Sequence, residues 1–427
     1  MACGENPVRW LYTLALYLLM PFVLLRLAAR GLRTPAYWRR WPERFGFFSY
    51  ACDKPCIWLH AVSVGEVQAA APLVDALRMR LPEMAFVVTT TTPTGSERAR
   101  ALFGAAVFHV YAPYDLPGAS RRFLRRIRPR IAVILERELW PNLFAACHQA
   151  TVPIVLANAR LSSRAARHYR LAGSLVRETL GRVSAIAVQS EPDARRLVAL
   201  GAQPDRVRVT GSLKFDARLP SGLDAAARRL RARWGTQRRV WIAASTHRGE
   251  ERAVLLAFEQ LRRRYPDLLL IVVPRHPERF AAVAKLCRAG DWTVDQLSNG
   301  ACRSKTDILV GDTMGDLPRL YAASDVAFTG GSLIPAGGHN PLEAAMLGRP
   351  TVFGPCMDNF AAIARLLLDA QASRQIRAVS DMVDAVGQWV EDPGARTLAG
   401  RRAIGVVEQQ RGATAKVIAM IDATLAQ

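Results

Sequence analysis

A chain of 427 residues with 50% hydrophobic content exceeds one ordinary core and suits two domains. The formal charge of +22 and pI near 10.7 call for an acidic partner, whether nucleic acid, an anionic membrane surface or a phosphorylated substrate. Seven scattered cysteines (Cys3, Cys52, Cys56, Cys147, Cys287, Cys302, Cys356) form no Cys-x-x-Cys pair, which argues against a disulfide frame or a zinc site and fits reduced thiols in a cytosolic compartment.

The first element is an uncharged apolar run, Trp10 to Leu25, about 24 Å long as a helix and a little short of the roughly 30 Å hydrocarbon layer. Pro21 lies inside it. Arg26, Arg30, Arg33, Arg39, Arg40 and Arg44 follow, interleaved with Tyr37, Trp38, Trp41, Phe45, Phe47 and Phe48. Charge after the apolar run places the bulk of the chain on the cytoplasmic side, and mixed arginine and aromatic residues suit an anionic lipid interface. A cleaved signal peptide would carry its charge before the run, where only Arg9 stands. A helix packed on the protein itself remains open.

From about residue 55, short apolar runs alternate with amphipathic stretches, the pattern of a layered α/β fold. Strands are expected at 57–59, 86–90, 107–110, 131–135, 154–157, 185–188 and 207–210, and helices at 67–80, 96–103, 119–127, 143–149 and 193–200. The pattern lapses near 216–224 into a linker, then restarts with strands at 240–244, 268–273, 308–310, 326–328 and 351–353. Two parallel-sheet domains with a cleft between them follow, with ligands outside the strand carboxyl ends.

Several chemistries lack their motifs. No Gly-x-Gly, Gly-x-x-x-x-Gly-Lys, Asp-x-Asp, two-histidine metal motif or Gly-x-Ser-x-Gly occurs. Polar residues at strand ends are the remaining candidates. Glu66 follows the strand ending in His60 and begins a helix, where the dipole lowers its pKa unless burial opposes this; it is then either an ionised base or a first-turn glutamate stabilising its own helix. Glu136 and Glu138, if the segment is extended, share one side with Arg137 opposite. They hold substrate or a basic group, or belong to a solvated loop. Lys214 meets an anion, or pairs with Asp216 on the surface. Arg275 at a strand end suits bidentate phosphate binding. The loop Gly311 to Leu317 and the strand-to-helix mouth Ala243 to Glu251 offer further polar groups.

The string Gly330 to Glu343, Gly-Gly-Ser-Leu-Ile-Pro-Ala-Gly-Gly-His-Asn-Pro-Leu-Glu, is the most informative. Glycine pairs bracket a bend, Asn340 stands where an N-cap belongs and Pro341 at the first helical position. Strand, glycine loop, helix mouth and the Glu343 carboxylate describe a sugar-nucleotide pocket; a tight turn with an ordinary cap is the plainer alternative.

Together with Ser63-Val64-Gly65-Glu66, Thr92 to Arg98, Glu138 to Asn142, Asn158 to Ser162, Gly211 to Asp216, Pro274 to Pro277 and Gly338 to Glu343, this string resembles the bacterial 3-deoxy-D-manno-octulosonic acid (Kdo) transferases of lipopolysaccharide synthesis over nearly the whole chain. The resemblance implies a GT-B glycosyltransferase fold of two Rossmann-like domains facing a cleft, with a membrane-anchoring segment at 1–35, an acceptor-binding domain at 36–216 and a donor-binding domain at 217–427 whose last helix returns to the first. It implies inverting transfer from CMP-Kdo to a phosphorylated lipid A precursor, lipid IVA, at the cytoplasmic face of the inner membrane, with no metal and no cofactor beyond the donor. Glu66 is then the general base, Glu136 and Lys214 stabilise the transition state, and Pro274, Arg275, Met314, Gly315, Asp316, Asn340, Pro341, Leu342 and Glu343 hold the CMP. Arg137 and Arg248 depart from the threonine and glutamate often found in the family, and both add positive charge. A GT-B enzyme using a UDP-sugar and a non-catalytic membrane-binding protein are the alternatives; nucleic-acid binding lacks a reading motif.

Overall fold

The computed structural model describes residues 7–50, 54–300 and 304–427. Cys3, Cys52 and Cys302 lie outside these residues; Cys56, Cys147, Cys287 and Cys356 are free thiols. The chain divides into two compact units, residues 1–217 with 410–427, and residues 218–409.

In unit 1, β1 (Cys56–His60), β2 (Ala85–Thr90), β3 (Phe108–Tyr111), β4 (Pro129–Leu135), β5 (Ile154–Ala159), β6 (Ala185–Val188) and β7 (Val207–Val209) form a parallel sheet in the order β3-β2-β1-β4-β5-β6-β7. This is the doubly wound order, whose direction reverses between β1 and β4; ligands of such sheets bind at that switch point. The helices of this unit are α1 (Pro7–Arg33), α2 (Val64–Arg80), α3 (Pro93–Phe103), α4 (Pro117–Ile127), α5 (Pro141–Gln149), α6 (Ser163–Leu171), α7 (Gly173–Gly181) and α8 (Glu191–Ala199). Three of them begin two or three residues before the amphipathic pattern becomes visible, because Pro93, Pro117 and Pro141 open the first turn, where a missing N–H costs nothing. Both faces of the sheet are covered. Cys56 and Trp58 of β1 join Phe123, Leu143 and Leu180 in one core, and Ile57 and Leu59 join Val67, Leu73 and Ile421 in the other.

Unit 2 repeats the plan. Its strands are β8 (Val240–Thr246), β9 (Leu269–Pro274), β10 (Val294–Gln296), β11 (Ile308–Val310), β12 (Val326–Thr329), β13 (Thr351–Phe353) and β14 (Ser373–Gln375), in the order β10-β11-β9-β8-β12-β13-β14, again parallel. Here the switch point lies between β8 and β12. The helices are α9 (Leu223–Trp234), α10 (Glu250–Arg264), α11 (Phe280–Cys287), α12 (Leu317–Ala322), α13 (Leu342–Met346), α14 (Ala361–Asp369), α15 (Val379–Glu391) and α16 (Pro393–Gln409). The last helix, α17 (Ala413–Leu425), belongs to unit 1, where Ala413, Val417 and Ile421 enter the core beside α2. Asp216 fixes its start by accepting the Gly412 and Thr414 N–H groups at 2.8 and 2.5 Å.

Helix α1 is long and apolar enough to cross a membrane. Its flank carries Trp10, Leu18 and Phe22 at 62%, 67% and 68% exposure, an apolar surface that unit 1 leaves uncovered. Polar contacts nevertheless tie its first turns to unit 1. The Tyr12 hydroxyl donates to Asp115 at 2.9 Å and Thr13 to Asn142 Oδ1 at 3.0 Å.

Candidate active site

The first candidate cluster sits at the switch point of unit 1, where α2 follows β1 and a sharp turn follows β4. Ser63 caps α2, accepting the Glu66 N–H, while Glu66 reaches back to accept the Val62 N–H at 2.7 Å and the Ser63 hydroxyl at 3.1 Å. This reciprocal capping fixes the carboxylate at the mouth of the helix. The dipole argument for a low pKa does not hold. Burial, then the charge of Glu136, outweigh the capping hydrogen bonds and push the Glu66 pKa up to about 7. Such a group is ionised about half the time at neutral pH, the compromise that suits a proton acceptor.

Glu136 is not in an extended segment. Its φ is +58°, so the chain turns just as β4 ends, and the carboxylate is turned inward. Its side chain, 7% exposed, meets Arg160 Nε at 3.0 Å and Lys214 Nζ at 3.3 Å. Burial alone raises its pKa; Lys214 and Arg160 together outweigh that and hold it below the usual carboxylate range. Glu138 goes elsewhere, accepting the Trp140 indole N–H at 2.7 Å, and burial raises its pKa. Arg137 between them is exposed. The two glutamates therefore differ in environment, not merely in facing. Lys214 pairs with Glu136, while Asp216 is occupied at the start of α17.

Asn158 positions the lysine. In a left-handed conformation (φ +55°) and fully buried, it accepts the Leu213 N–H through Oδ1 at 3.0 Å, locking the short 3-10 turn Leu213–Asp216 that carries Lys214. Arg160 and Asn158 lie within a string already prominent in the sequence, but neither had a role assigned; only the fold shows that β5 delivers one to Glu136 and the other to Lys214. Glu66, Glu136 and Lys214 are thus one electrostatic system. Two cations keep Glu136 charged, and that charge helps keep Glu66 basic.

The second cluster lies at the switch point of unit 2. The glycine loop after β12 is shaped from beneath by Glu250, the first residue of α10. Its buried carboxylate accepts four backbone N–H groups: His247 at 2.9 Å, Gly331 at 2.7 Å, and Ser332 and Leu333 at 3.0 Å each. A Cβ on Gly330 would sit 2.3 Å from the Ser245 carbonyl oxygen, so the loop and the end of β8 approach as only glycine permits. His339 and His247 stack at 5.0 Å with their Nε2 atoms 2.8 Å apart, and His276 meets His247 edge-on at 5.2 Å. Burial first, then Arg275 and the other two histidines, lower the His339 pKa to about 3, so this imidazole is neutral.

Arg275 follows Pro274 at the end of β9, with its N–H donated to the Thr246 carbonyl at 3.0 Å and no carboxylate partner among the described residues. Met314, 69% exposed, and Gly315 (φ +89°) form the loop after β11, the strand beside β9; Asp316 accepts the Thr313 hydroxyl and pairs with Arg319 at 2.8 Å. A Cβ on Gly311 would fall 2.8 Å from Val273, so this loop starts against the end of β9. The expected cap moves by one residue. Helix α13 starts at Leu342 with Pro341 at its N-cap, and the Asn340 side chain accepts the Leu342 N–H at 3.1 Å. Five residues make α13 too short for much of a dipole.

Residues 39–217 match the family model described as 3-deoxy-D-manno-octulosonic-acid transferase (kdotransferase). The 3-deoxy-D-manno-octulosonic acid transferase of Haemophilus influenzae is 37% identical over 417 residues, covering 97% of this chain and 98% of that protein. The chain belongs to the Kdo transferase family. A second Kdo transferase, from Bordetella pertussis, is 38% identical over 427 residues and spans 96% of this chain and 98% of its own length. A UDP-GlcNAc 2-epimerase structure from Neisseria meningitidis bound to UDP-GlcNAc superposes with a TM-score of 0.60 at 13% identity, covering 86% of this chain and 99% of its own, a likeness of fold alone. The fold is GT-B, two Rossmann-like units in one chain. In this Kdo transferase Arg137 and Arg248 are both exposed; the Arg137 charge opposes the rise that burial gives the Glu138 pKa, and its carbonyl accepts the Tyr169 hydroxyl at 3.1 Å.

Proposed function

We propose that this Kdo transferase takes Kdo from CMP-Kdo and passes it, with inversion and without a metal, to a phosphorylated lipid A precursor, lipid IVA, at the cytoplasmic face of the inner membrane. Glu66 accepts the proton of the acceptor hydroxyl as that oxygen attacks the anomeric carbon. Lys214, held by Glu136, offsets negative charge that develops in the transition state, and Glu136 in turn fixes Lys214 and sustains the basicity of Glu66. Cytidylate is already a good leaving group, so base, positioning and phosphate clamp carry most of the work. In unit 2 the guanidinium of Arg275, without a carboxylate partner among the described residues, meets the donor phosphate, and Pro274, the Met314–Gly315–Asp316 loop and Asn340, Pro341, Leu342 and Glu343 hold the nucleotide.

The observation that carries this reading is a half-buried carboxylate with a pKa of about 7, coupled to a second carboxylate that two cations hold ionised, at the switch point of a parallel sheet. Membrane attachment is supported by the exposed apolar flank of α1 and the arginines that follow it. The test is mass spectrometry of the lipid products made by purified protein from CMP-Kdo and lipid IVA, beside a panel of UDP-sugars. Kdo-bearing lipid from CMP-Kdo alone is expected; product from a UDP-sugar and none from CMP-Kdo would overturn the assignment.

A further inference from the structure

Helix α4, Pro-Gly-Ala-Ser-Arg-Arg-Phe-Leu-Arg-Arg-Ile, carries no acidic residue, and its arginines sort into two sets. Arg122 and Arg126 reach the segment after the N-terminal helix, and part of Arg122 also lines the groove between α4 and α5. They donate to the Phe45 and Phe48 carbonyls at 2.9 and 3.0 Å, and Arg122 lies over the Phe47 ring at 4.4 Å. The other set is Arg121 and Arg125, one turn apart on the helix, with Arg128 just past its end at the C-cap, φ +44°. All three are exposed, none pairs with a carboxylate among the described residues, and all three line one groove between α4 and α5.

The groove has a volume of about 750 Å³. Its floor is apolar, with Leu124, Ala146 and Val152 beneath the guanidinium groups. A second hollow of about 360 Å³ continues it, sharing Arg121, Ala146 and Gln149, and is walled on the far side by Trp10 and Thr13 of α1. A cationic rim, an apolar floor and the exposed apolar flank of α1 thus follow one another along a single surface of unit 1.

We propose that this groove binds the headgroup phosphate of an acidic glycerophospholipid of the bilayer on which the protein sits, with the glycerol and first methylenes on the apolar floor. The site is separate from the transfer chemistry. Arg128 and Pro129 lead into β4 and Val152 leads towards β5, so the 750 Å³ groove runs to the amino edge of the sheet. Glu66 and Glu136 stand at the carboxyl edge, about 23 Å away along a seven-residue strand. An acceptor sugar at Glu66 does not place its phosphate there, and a second lipid does.

The proposal rests on the membrane-attachment reading, and one experiment separates the two. Full-length protein is floated with vesicles of phosphatidylcholine alone and of phosphatidylcholine mixed with phosphatidylglycerol. Wild type is expected to bind both, the mixed vesicles at least about tenfold more tightly, since each basic residue near an anionic surface contributes roughly fivefold. Arg121→Gln/Arg125→Gln/Arg128→Gln is expected to lose most of that preference, keeping the share due to the arginines after α1, and to keep the binding to phosphatidylcholine that α1 supplies. The matched variant Arg228→Gln/Arg229→Gln/Arg252→Gln, which removes the same charge from exposed positions of unit 2, is expected to keep the preference. Equal loss in both variants would reduce the effect to net charge and overturn the groove. So would displacement by inorganic phosphate beyond an ionic-strength control, which would make the occupant a free anion, or displacement by lipid IVA at lower concentration than phosphatidylglycerol, which would make it the acceptor. Failure of wild type to bind either vesicle would sink the attachment reading itself. The side chains are exposed and the core residues Phe123, Leu124 and Ile127 are untouched; should the triple variant still melt early, Arg125→Gln alone is expected to weaken mixed-vesicle binding about fivefold.

Discussion

The two switch points of this chain are built alike and furnished oppositely. In unit 1 the groups that matter are side chains that hold one another: Arg160 and Lys214 on Glu136, and Glu136 acting through its charge on Glu66. In unit 2 they are mostly backbone. One buried carboxylate, Glu250, gathers four N–H groups and sets the path of a glycine loop, while Arg275 is left without a carboxylate partner among the described residues. The same sheet topology thus carries coupled ionisable groups at one edge, and at the other spends its polarity on loop shape and leaves Arg275 without a carboxylate among the described residues.

The sharpest way to break this contrast is Glu66→Gln. It keeps an acceptor for the Val62 N–H and so the helix cap, but it cannot take a proton; kcat is expected to fall about 10³-fold with an unchanged melting temperature, measured by product formation and calorimetry. Next is Glu250→Gln, whose amide turns donors towards donors. Unfolding of unit 2 is expected to lose about 3 kcal/mol in urea titration, with unit 1 little affected. Arg275→Gln is expected to raise the KM for the nucleotide donor roughly 10- to 100-fold with a smaller change in kcat, as befits loss of a charged contact to phosphate.

The coupling inside unit 1 has its own signature in pH. Because burial and the Glu136 charge raise Glu66 above an ordinary glutamate, activity is expected to rise through about pH 7 as Glu66 ionises and then level off. For folding, the sign is the reverse. The unfolded chain releases that proton near 4.5 and the folded one near 7, so the carboxyl contributes least to stability above pH 7 and stability falls across that interval. Glu136→Gln removes a charge that raises Glu66, and the acid limb of the remaining activity is expected to move to lower pH. The smallest effects belong to Arg137→Thr and Arg248→Glu, both at exposed positions. Stability is expected to stay within about 0.5 kcal/mol, so a large change in product distribution would show that these arginines touch the acceptor.

Much of the fold was legible from apolar runs, since strands buried on both faces leave continuous hydrophobic segments: 185–188, 308–310 and 351–353 appear in the structure with those limits. The two strands with no such signal, Val-Asp-Gln of β10 and Ser-Arg-Gln of β14, are the edges of the second sheet, where three residues and one neighbour demand little hydrophobicity. At the candidate site the residue types were visible but their partners were not. Lys214 and Glu136 are 78 positions apart, and no local spacing could pair them or show that Glu136 leaves the extended path at φ +58°. The Glu66 pKa depends on the burial that its sequence position leaves open, because the helix dipole is a local effect and burial is not.

Helix α17 carries one more consequence. Its Val417 and Ile421 complete the packing around α2, yet in chain order they follow the whole of unit 2. The half of the molecule that emerges first therefore waits with an open hydrophobic seam while the later half is made and matures. Loss of Ala413–Leu425 would spare the core of unit 2 and leave that of unit 1 unsealed, exposed to chaperones and proteases.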